Sequence, residues 1–295
     1  MLKLQGIFAP LATPFDHHGE IYKVKVRHNV DKWNLVKLSG YLVCGSTGES
    51  VHLTTEEKIV LWGLVAEAKA SDRLLLAGTG MESVRETVAL TNQAAALGYQ
   101  AAVVGTPHYY RNLVNNNEAQ ELFFRAVADQ AKIPVIIDNL PQATGIDIAA
   151  ESVAKLSEHP NIIAIKESSG VLGKTKWMLR EVKPGFQVLA GSAPALWPSL
   201  DMGASGAVVA IANATPYACI TIWEAHRMRE REAAQDWQQR IAHPAELVTT
   251  KYGIPGLKHA MDLNGYYGGL CRLPLGPLTP AAKAEIELAF DGIRG

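Results

Sequence analysis

The chain has 295 residues, of which 48% are hydrophobic and 19% are charged. These proportions are ordinary for a globular protein and exclude a disordered chain. The formal net charge is -1, so electrostatics gives no reason to expect nucleic acid or an anionic membrane as the main partner. No apolar run approaches the roughly 18 residues of a membrane-spanning helix. Pro10 and Pro14 interrupt the first apolar segment, which argues against a signal peptide.

The spacing of the three cysteines indicates the cellular compartment of the protein. Cys44, Cys219 and Cys271 are far apart and form no Cys-x-x-Cys pair. This usage fits a reducing environment and argues against a disulfide scaffold or a zinc–thiolate site. We therefore expect a soluble, cytoplasmic protein.

Short apolar runs recur along the chain, each followed by a longer segment with helical spacing. The runs are continuous rather than alternating, which is typical of parallel strands buried on both faces. They begin at residues 6, 40, 74, 101, 135, 162, 187 and 207. Each interval can hold a strand, a loop and a helix, so the pattern predicts a (β/α)₈ TIM barrel of the α/β class. The main alternative is an open doubly wound sheet, but no Gly-x-Gly-x-x-Gly follows any of these runs.

Helix start signals support this organisation. Thr54 and Ser83 each precede an acidic first turn and then apolar residues at helical spacing. The strand signal stops beyond residue 215. We therefore predict a barrel over 1–215 and a C-terminal helical appendage, packed on the barrel, over 216–295. The helical stretches of the appendage are expected around 217–240, 243–263 and 280–293.

Lys166 is the first candidate for chemistry. In a (β/α)₈ barrel, side chains at the C-terminal ends of the strands face the active site. Lys166 ends the sixth apolar run, above an apolar floor. Desolvation there favours the neutral amine, which can attack a carbonyl carbon. The alternative is that Lys166 is simply the first solvated residue past a strand.

A second candidate is the loop GSTGE at residues 45–49, which follows the second strand. Its small residues and two hydroxyls, from Ser46 and Thr47, suit an anion. The loop lacks the lysine of a P-loop, so a carboxylate is a better ligand than a phosphate. The alternative is an ordinary strand-to-helix turn in which Ser46 or Thr47 is a cap.

Two further loops carry polar groups. Asp138 follows the fifth run and could be a general base, although Asp-Asn before proline is also common in turns. Tyr109 and Tyr110 follow the fourth run and could supply phenol hydroxyls or simply pack. The nine histidines form no cluster with metal-ligand spacing, and no Gly-x-Ser-x-Gly elbow is present. We therefore expect a mechanism without a metal or a cofactor.

Four segments together resemble the dihydrodipicolinate synthase/N-acetylneuraminate lyase family. They are GSTGE at 45–49, TPHYY at 106–110, NLPQATG at 139–145 and IAIKES at 163–168. Members of that family are (β/α)₈ barrels that form a Schiff base between a lysine and pyruvate. Within the family the chain is most similar to the 4-hydroxy-2-oxoglutarate aldolase branch. That similarity lies in RLLLAG at 73–78, HPNI at 159–162, FQVLAGS at 186–192, GIPGLK at 253–258 and GYYGG at 265–269.

The resemblance implies a role for individual residues. Lys166 would be the Schiff-base lysine. Ser46 and Thr47 would hold the carboxylate of the 2-oxo acid, and Ser46 would also relay protons. Tyr109 would reach the site of a neighbouring subunit, in a homotetramer built as a dimer of dimers. Ser168, Gly191 and Val208 would line the pocket.

The chain departs from the family pattern at two positions. Asp138 stands where the family has a proton-relaying tyrosine, directly before Asn-x-Pro. Ala143 stands where the synthases have an arginine that holds a second carboxylate. We therefore predict a Schiff-base lyase that cleaves a 2-oxo acid such as 4-hydroxy-2-oxoglutarate to pyruvate and an aldehyde, with Asp138 as the base. The alternatives are synthase-like or dehydratase activity on another 2-oxo acid, and a 2-oxo-acid-binding barrel without turnover.

Overall fold

A computed structural model, which describes residues 2–293, forms a closed barrel of eight parallel strands. The strands are β1 (Gly6–Pro10), β2 (Gly40–Val43), β3 (Leu74–Gly78), β4 (Ala101–Gly105), β5 (Val135–Asn139), β6 (Ile162–Glu167), β7 (Gln187–Ala190) and β8 (Gly206–Val208). Each strand pairs with the next, and β8 pairs with β1. The predicted (β/α)₈ barrel is therefore confirmed, with β8 beginning one residue earlier than expected.

Helices lie between the strands and after β8, and they cover the outside of the barrel. They are α1 (Lys23–Asn34), α2 (Thr55–Ala68), α3 (Val84–Ala96), α4 (Arg111–Val114), α5 (Asn117–Ala128), α6 (Pro141–Thr144), α7 (Ala150–Ser157), α8 (Leu172–Glu181), α9 (Leu196–Met202), α10 (Pro216–Met228), α11 (Arg231–Glu246), α12 (Gly253–Leu263) and α13 (Pro280–Phe290). The helix starts predicted at Thr54 and Ser83 are confirmed. The Thr54 hydroxyl accepts from the Glu57 N–H, and the Glu57 carboxylate accepts from the Thr54 N–H.

The C-terminal segment is more interrupted than its sequence pattern indicates. The stretch predicted at 217–240 is two helices, α10 and α11, because Arg229 adopts a left-handed conformation with φ of 62° and ends α10. A π-helical turn, Leu247–Lys251, follows α11 shortly after Pro244, which has no N–H to donate to the helix. α10 also packs against β1. The domain division near residue 215 stays a prediction.

The barrel interior is filled by apolar side chains from all eight strands. The inner cluster consists of Leu4, Phe8, Leu42, Leu76, Ala101, Val103, Ile136, Ile163, Ala164, Leu189 and Val208. Side chains alternate along a strand, so the positions two residues beyond Ile136 and Ala164 also point inward, at the C-terminal mouth. These positions are Asp138 and Lys166. Among residues 2–293, no helix has the length and apolar character needed to cross a membrane.

Candidate active site

Lys166 and Asp138 form a buried ion pair at the mouth of the barrel. They lie opposite each other in β6 and β5, with 2.7 Å between Lys166 Nζ and Asp138 Oδ1. Only 5% of Lys166 and 8% of Asp138 are exposed. Both residues lie inside their strands rather than after them, because β5 continues to Asn139 and β6 to Glu167. Asp138 is therefore a strand residue and not part of a turn.

The pair stands on an apolar floor. Leu189 is the register neighbour of Lys166 in β7, and Ile136 and Ala164 lie one layer below within the inner cluster. An isolated charge would be costly in such surroundings, whereas a paired one is tolerated. The arrangement keeps an amine and a carboxylate within direct proton-transfer distance, partly shielded from water. It can accept a carbonyl compound and move a proton to or from it.

The outer face of the same strands carries a second polar network that sequence analysis did not identify. The Asn139 side-chain amide donates to Glu167 Oε2 at 3.0 Å and to Asp147 Oδ1 at 2.8 Å. Lys174 forms ion pairs with Asp147 and Glu167. The Ile148 N–H donates to Asn139 Oδ1, which holds the loop after β5. The sequence signal that could have revealed this network is the polar residue that ends each of these two apolar strands, Asn139 in β5 and Glu167 in β6. This network fixes the strand ends that carry Asp138 and Lys166.

Ser168 and Gly191 meet at the ends of β6 and β7. A β-carbon on Gly191 would lie 2.0 Å from Ser168 Oγ and 3.0 Å from the Glu167 carbonyl oxygen, so glycine leaves room for the serine hydroxyl in its present position. Ser168 Oγ is buried and has no hydrogen-bond partner within residues 2–293. An unpaired buried hydroxyl is unusual and is available to a ligand. Val208, in the inner cluster, completes this side of the barrel.

Ser46 and Thr47 lie in a 3₁₀ turn, Ser46–Gly48, at the same end of the barrel. Neither hydroxyl forms a hydrogen bond to another described residue, and the cap of α2 is Thr54. The alternative that Ser46 or Thr47 caps that helix is therefore wrong. A β-carbon on Gly78 would lie 2.1 Å from the Cys44 carbonyl oxygen, so β3 can approach this loop only with a glycine there.

Tyr109 is not brought to the lysine of its own chain. It is 77% exposed, and its ring packs edge-on against Tyr110. Its N–H donates to Glu82, which also pairs with the His108 ring, so the backbone of this loop is held in place. Tyr110 is also exposed, as is Leu113, whose N–H donates to the Tyr110 carbonyl at 2.8 Å.

A lysine and a carboxylate paired at the C-terminal mouth of a (β/α)₈ barrel are typical of enzymes that activate carbonyl compounds through a covalent lysine adduct. Residues 3–291 match the sequence model of the Dihydrodipicolinate synthetase family, and the chain belongs to this family. Its curated relatives include proteins named as a 4-hydroxy-tetrahydrodipicolinate synthase, a probable 4-hydroxy-2-oxoglutarate aldolase and an L-threo-3-deoxy-hexylosonate aldolase.

Individual relatives align with this chain over almost its full length. The chain is 33% identical to the 4-hydroxy-tetrahydrodipicolinate synthase of Methanothrix thermoacetophila, over 96% of this chain and 95% of the relative. It is 32% identical to the probable mitochondrial 4-hydroxy-2-oxoglutarate aldolase of Emericella nidulans, over 97% and 94%. The crystal structure of dihydrodipicolinate synthase DapA-2 from Bacillus anthracis superposes with a TM-score of 0.94 at 27% identity, covering 99% of both chains.

Proposed function

We propose that this protein cleaves a 2-oxo acid resembling 4-hydroxy-2-oxoglutarate to pyruvate and an aldehyde. The observation that carries the proposal is the buried contact of 2.7 Å between Lys166 Nζ and Asp138 Oδ1. It supplies a nucleophile and a base in one place. The aldolase of E. nidulans, named for this substrate, is among the relatives.

The first half of the reaction forms the iminium. Asp138 accepts a proton from the Lys166 ammonium, and the neutral amine attacks the C2 carbonyl of the substrate to give a carbinolamine. The protonated Asp138 then donates to the C2 hydroxyl, which leaves as water. The products of this half are an iminium cation on Lys166 and a carboxylate on Asp138, and the carboxylate stabilises the cation beside it.

The second half breaks the carbon–carbon bond. Asp138 removes the proton of the C4 hydroxyl, the C3–C4 bond breaks, and its electron pair moves into the iminium to give an enamine. The new C4 carbonyl leaves as the aldehyde. Protonation of the enamine at C3 and hydrolysis then release pyruvate and regenerate Lys166. One carboxylate thus serves both halves, because it is ionised again when the iminium is complete.

The remaining predicted residues have supporting roles. The unpaired hydroxyls of Ser46 and Thr47 would bind the carboxylate of the 2-oxo acid, with Ser46 also relaying protons. Ser168 Oγ, beside Gly191, is free to bind a substrate hydroxyl, and Val208 would line the pocket with them.

Tyr109 would act across a dimer, in a homotetramer built from two dimers. The exposed patch formed by Tyr109, Tyr110 and Leu113 supports this assembly, because exposed apolar clusters favour protein contacts. The free cysteines support a cytoplasmic location.

A second candidate is condensation of pyruvate with aspartate semialdehyde, supported by the relatives named as synthases. Ala143 argues against it, because no arginine stands at that position to hold a second carboxylate. The same lysine adduct would also serve a dehydratase, or a barrel that binds 2-oxo acids without turnover.

The decisive experiment measures pyruvate release from 4-hydroxy-2-oxoglutarate with a coupled lactate dehydrogenase assay. In parallel, the protein is incubated with pyruvate and borohydride, and the reduced adduct is mapped by mass spectrometry. We expect turnover and an adduct on Lys166. An adduct without release of pyruvate from this substrate would refute the aldolase activity and favour a synthase, a dehydratase or a binding barrel. No adduct at all would refute the Schiff-base mechanism.

A further inference from the structure

A second buried ion pair joins the loop at residues 45–49 to the C-terminal segment. Lys258 Nζ in α12 lies 2.6 Å from Glu49 Oε1, across 209 residues of sequence. The side chain of Glu49 is 0% exposed and that of Lys258 is 1% exposed. A buried ion pair is weak evidence for stability, because desolvation offsets most of the attraction. Its burial therefore requires another explanation.

Further hydrogen bonds hold both members of the pair. Glu49 Oε2 accepts from the Arg272 N–H at 2.9 Å, and Lys258 Nζ donates to the Leu270 carbonyl at 2.7 Å. The Lys258 ammonium also lies 4.7 Å from the centre of the Phe15 ring. The carboxylate of Glu49 is thus held by two separate parts of the C-terminal segment, α12 and the stretch around Arg272.

The backbone of the loop at residues 45–49 is held in an unfavourable conformation at its boundaries. Cys44, directly before the loop, and Glu49, its last residue, both have left-handed φ values, of 60° and 56°. Non-glycine residues keep such angles only where the surroundings impose them. In addition, the Thr13 hydroxyl donates to the Gly48 carbonyl at 2.7 Å. The loop therefore depends on side-chain anchors for its shape, and the Glu49 carboxylate is the most deeply buried of them.

We propose that Glu49 is a positioning residue, and that its ion pair with Lys258 holds the loop so that Ser46 and Thr47 face the carboxylate of the 2-oxo acid. The C-terminal segment then sets the affinity of the site for pyruvate, although it supplies no residue to the chemistry. This inference rests on the proposed role of Ser46 and Thr47. It predicts a larger effect on pyruvate binding than on the chemical step, since Lys166 and Asp138 stand on other strands and only Ser46 belongs to the loop.

Two variants test the inference. Glu49→Gln keeps the volume and the acceptor for the Arg272 N–H but removes the charge. It also leaves Lys258 buried without a counter-charge, so it can lose stability for that reason alone. Glu49→Gln/Lys258→Met removes both charges with little change in volume, an exchange that buried pairs tolerate. Lys251→Met is the control, because it breaks the exposed pair with Glu285 in the same segment without contacting the loop.

The readout is borohydride trapping at increasing pyruvate concentrations, with thermal melting of each variant. We expect the pyruvate concentration for half-maximal trapping to rise about tenfold or more in both Glu49 variants. The trapping rate at saturating pyruvate should stay within about threefold of the parent. The control should match the parent in both values.

The outcomes separate this inference from the proposed function. A folded double variant with parental half-saturation would overturn the positioning role, because a merely structural pair changes melting but not pyruvate affinity. A double variant that does not fold would also overturn it, since the pair would then be required by the whole barrel. Failure of the parent to trap pyruvate would overturn the proposed function itself.

Discussion

Asp138→Asn is the substitution that tests the proposed mechanism most directly. Asparagine has nearly the same volume, and its Oδ1 can still accept from Lys166 Nζ at the present 2.7 Å. The barrel should therefore still fold, although Lys166 loses its buried counter-charge and the melting temperature should fall. The substitution removes the group that accepts the C4 hydroxyl proton and the negative charge that faces the iminium.

The expected loss follows from the chemistry of the site. General-base catalysis contributes about 10²- to 10⁴-fold, so turnover should fall at least about a hundredfold. That factor corresponds to about 2.7 kcal/mol of activation free energy. Borohydride trapping of pyruvate should still reach completion, because the lysine remains, although it should be slower than in the parent, because Asp138 also serves iminium formation. A large loss of cleavage with retained labelling is the signature of this role.

The assay compares pyruvate release from 4-hydroxy-2-oxoglutarate at saturating substrate in the variant and the parent. Asp129→Asn is the matched control, since it makes the same chemical change in an exposed pair with His159. The control should retain the parental rate. Cleavage by Asp138→Asn at the parental rate would refute the reasoning, and the proton would then have to leave through water or Ser46.

Three further predictions follow from particular side chains. Lys166→Ala should abolish the pyruvate adduct in a protein that still folds, and labelling of another lysine would contradict the assignment. Because Ala143 replaces a carboxylate clamp worth roughly 3 kcal/mol, condensation with aspartate semialdehyde should be about a hundredfold slower than in an arginine-bearing relative, measured with a coupled reductase. The hydrogen bonds from Arg272 lower the pKa of Glu57 below its usual 4.5, so this pair stabilises the fold above that value and the stabilisation is lost as the pH falls. Between neutral pH and about pH 3, the melting temperature of Glu57→Gln should therefore fall by less than that of the parent. An equal fall would exclude this pair as a source of acid sensitivity.

The presence of Asp138 in place of the family's tyrosine changes how the site can transfer protons. A tyrosine relays protons as donor and acceptor, whereas a carboxylate in its ionised form only accepts. The register of β5 and β6 places the Asp138 carboxylate directly on the amine, where it can be protonated and deprotonated in turn during iminium formation. The departure from the family pattern at Asp138 is thus compatible with turnover. The cleavage assay of Asp138→Asn tests whether this carboxylate takes part in turnover.

Much of the architecture was predictable from local patterns. The eight apolar runs became the eight strands, because a strand buried on both faces needs apolar side chains at every position and this requirement is local. Thr54 and Ser83 also mark helix starts through bonds within one turn of their helices. Lys166 was identifiable because it ends an apolar run, and the C-terminal ends of barrel strands carry the active site of this fold.

Only the tertiary structure decided how the polar residues are paired. Asp138 meets Lys166 because the pairing of β5 with β6 shifts by one residue between Val135 and Ile136, and strand register depends on packing around the whole barrel. Glu49 meets Lys258 across 209 residues, a contact that no periodicity encodes. The end of α10 at Arg229 likewise follows from a left-handed backbone angle that the neighbouring sequence does not predict. Patterns between neighbours determine the elements, whereas the site depends on long-range contacts that form only when those elements pack together.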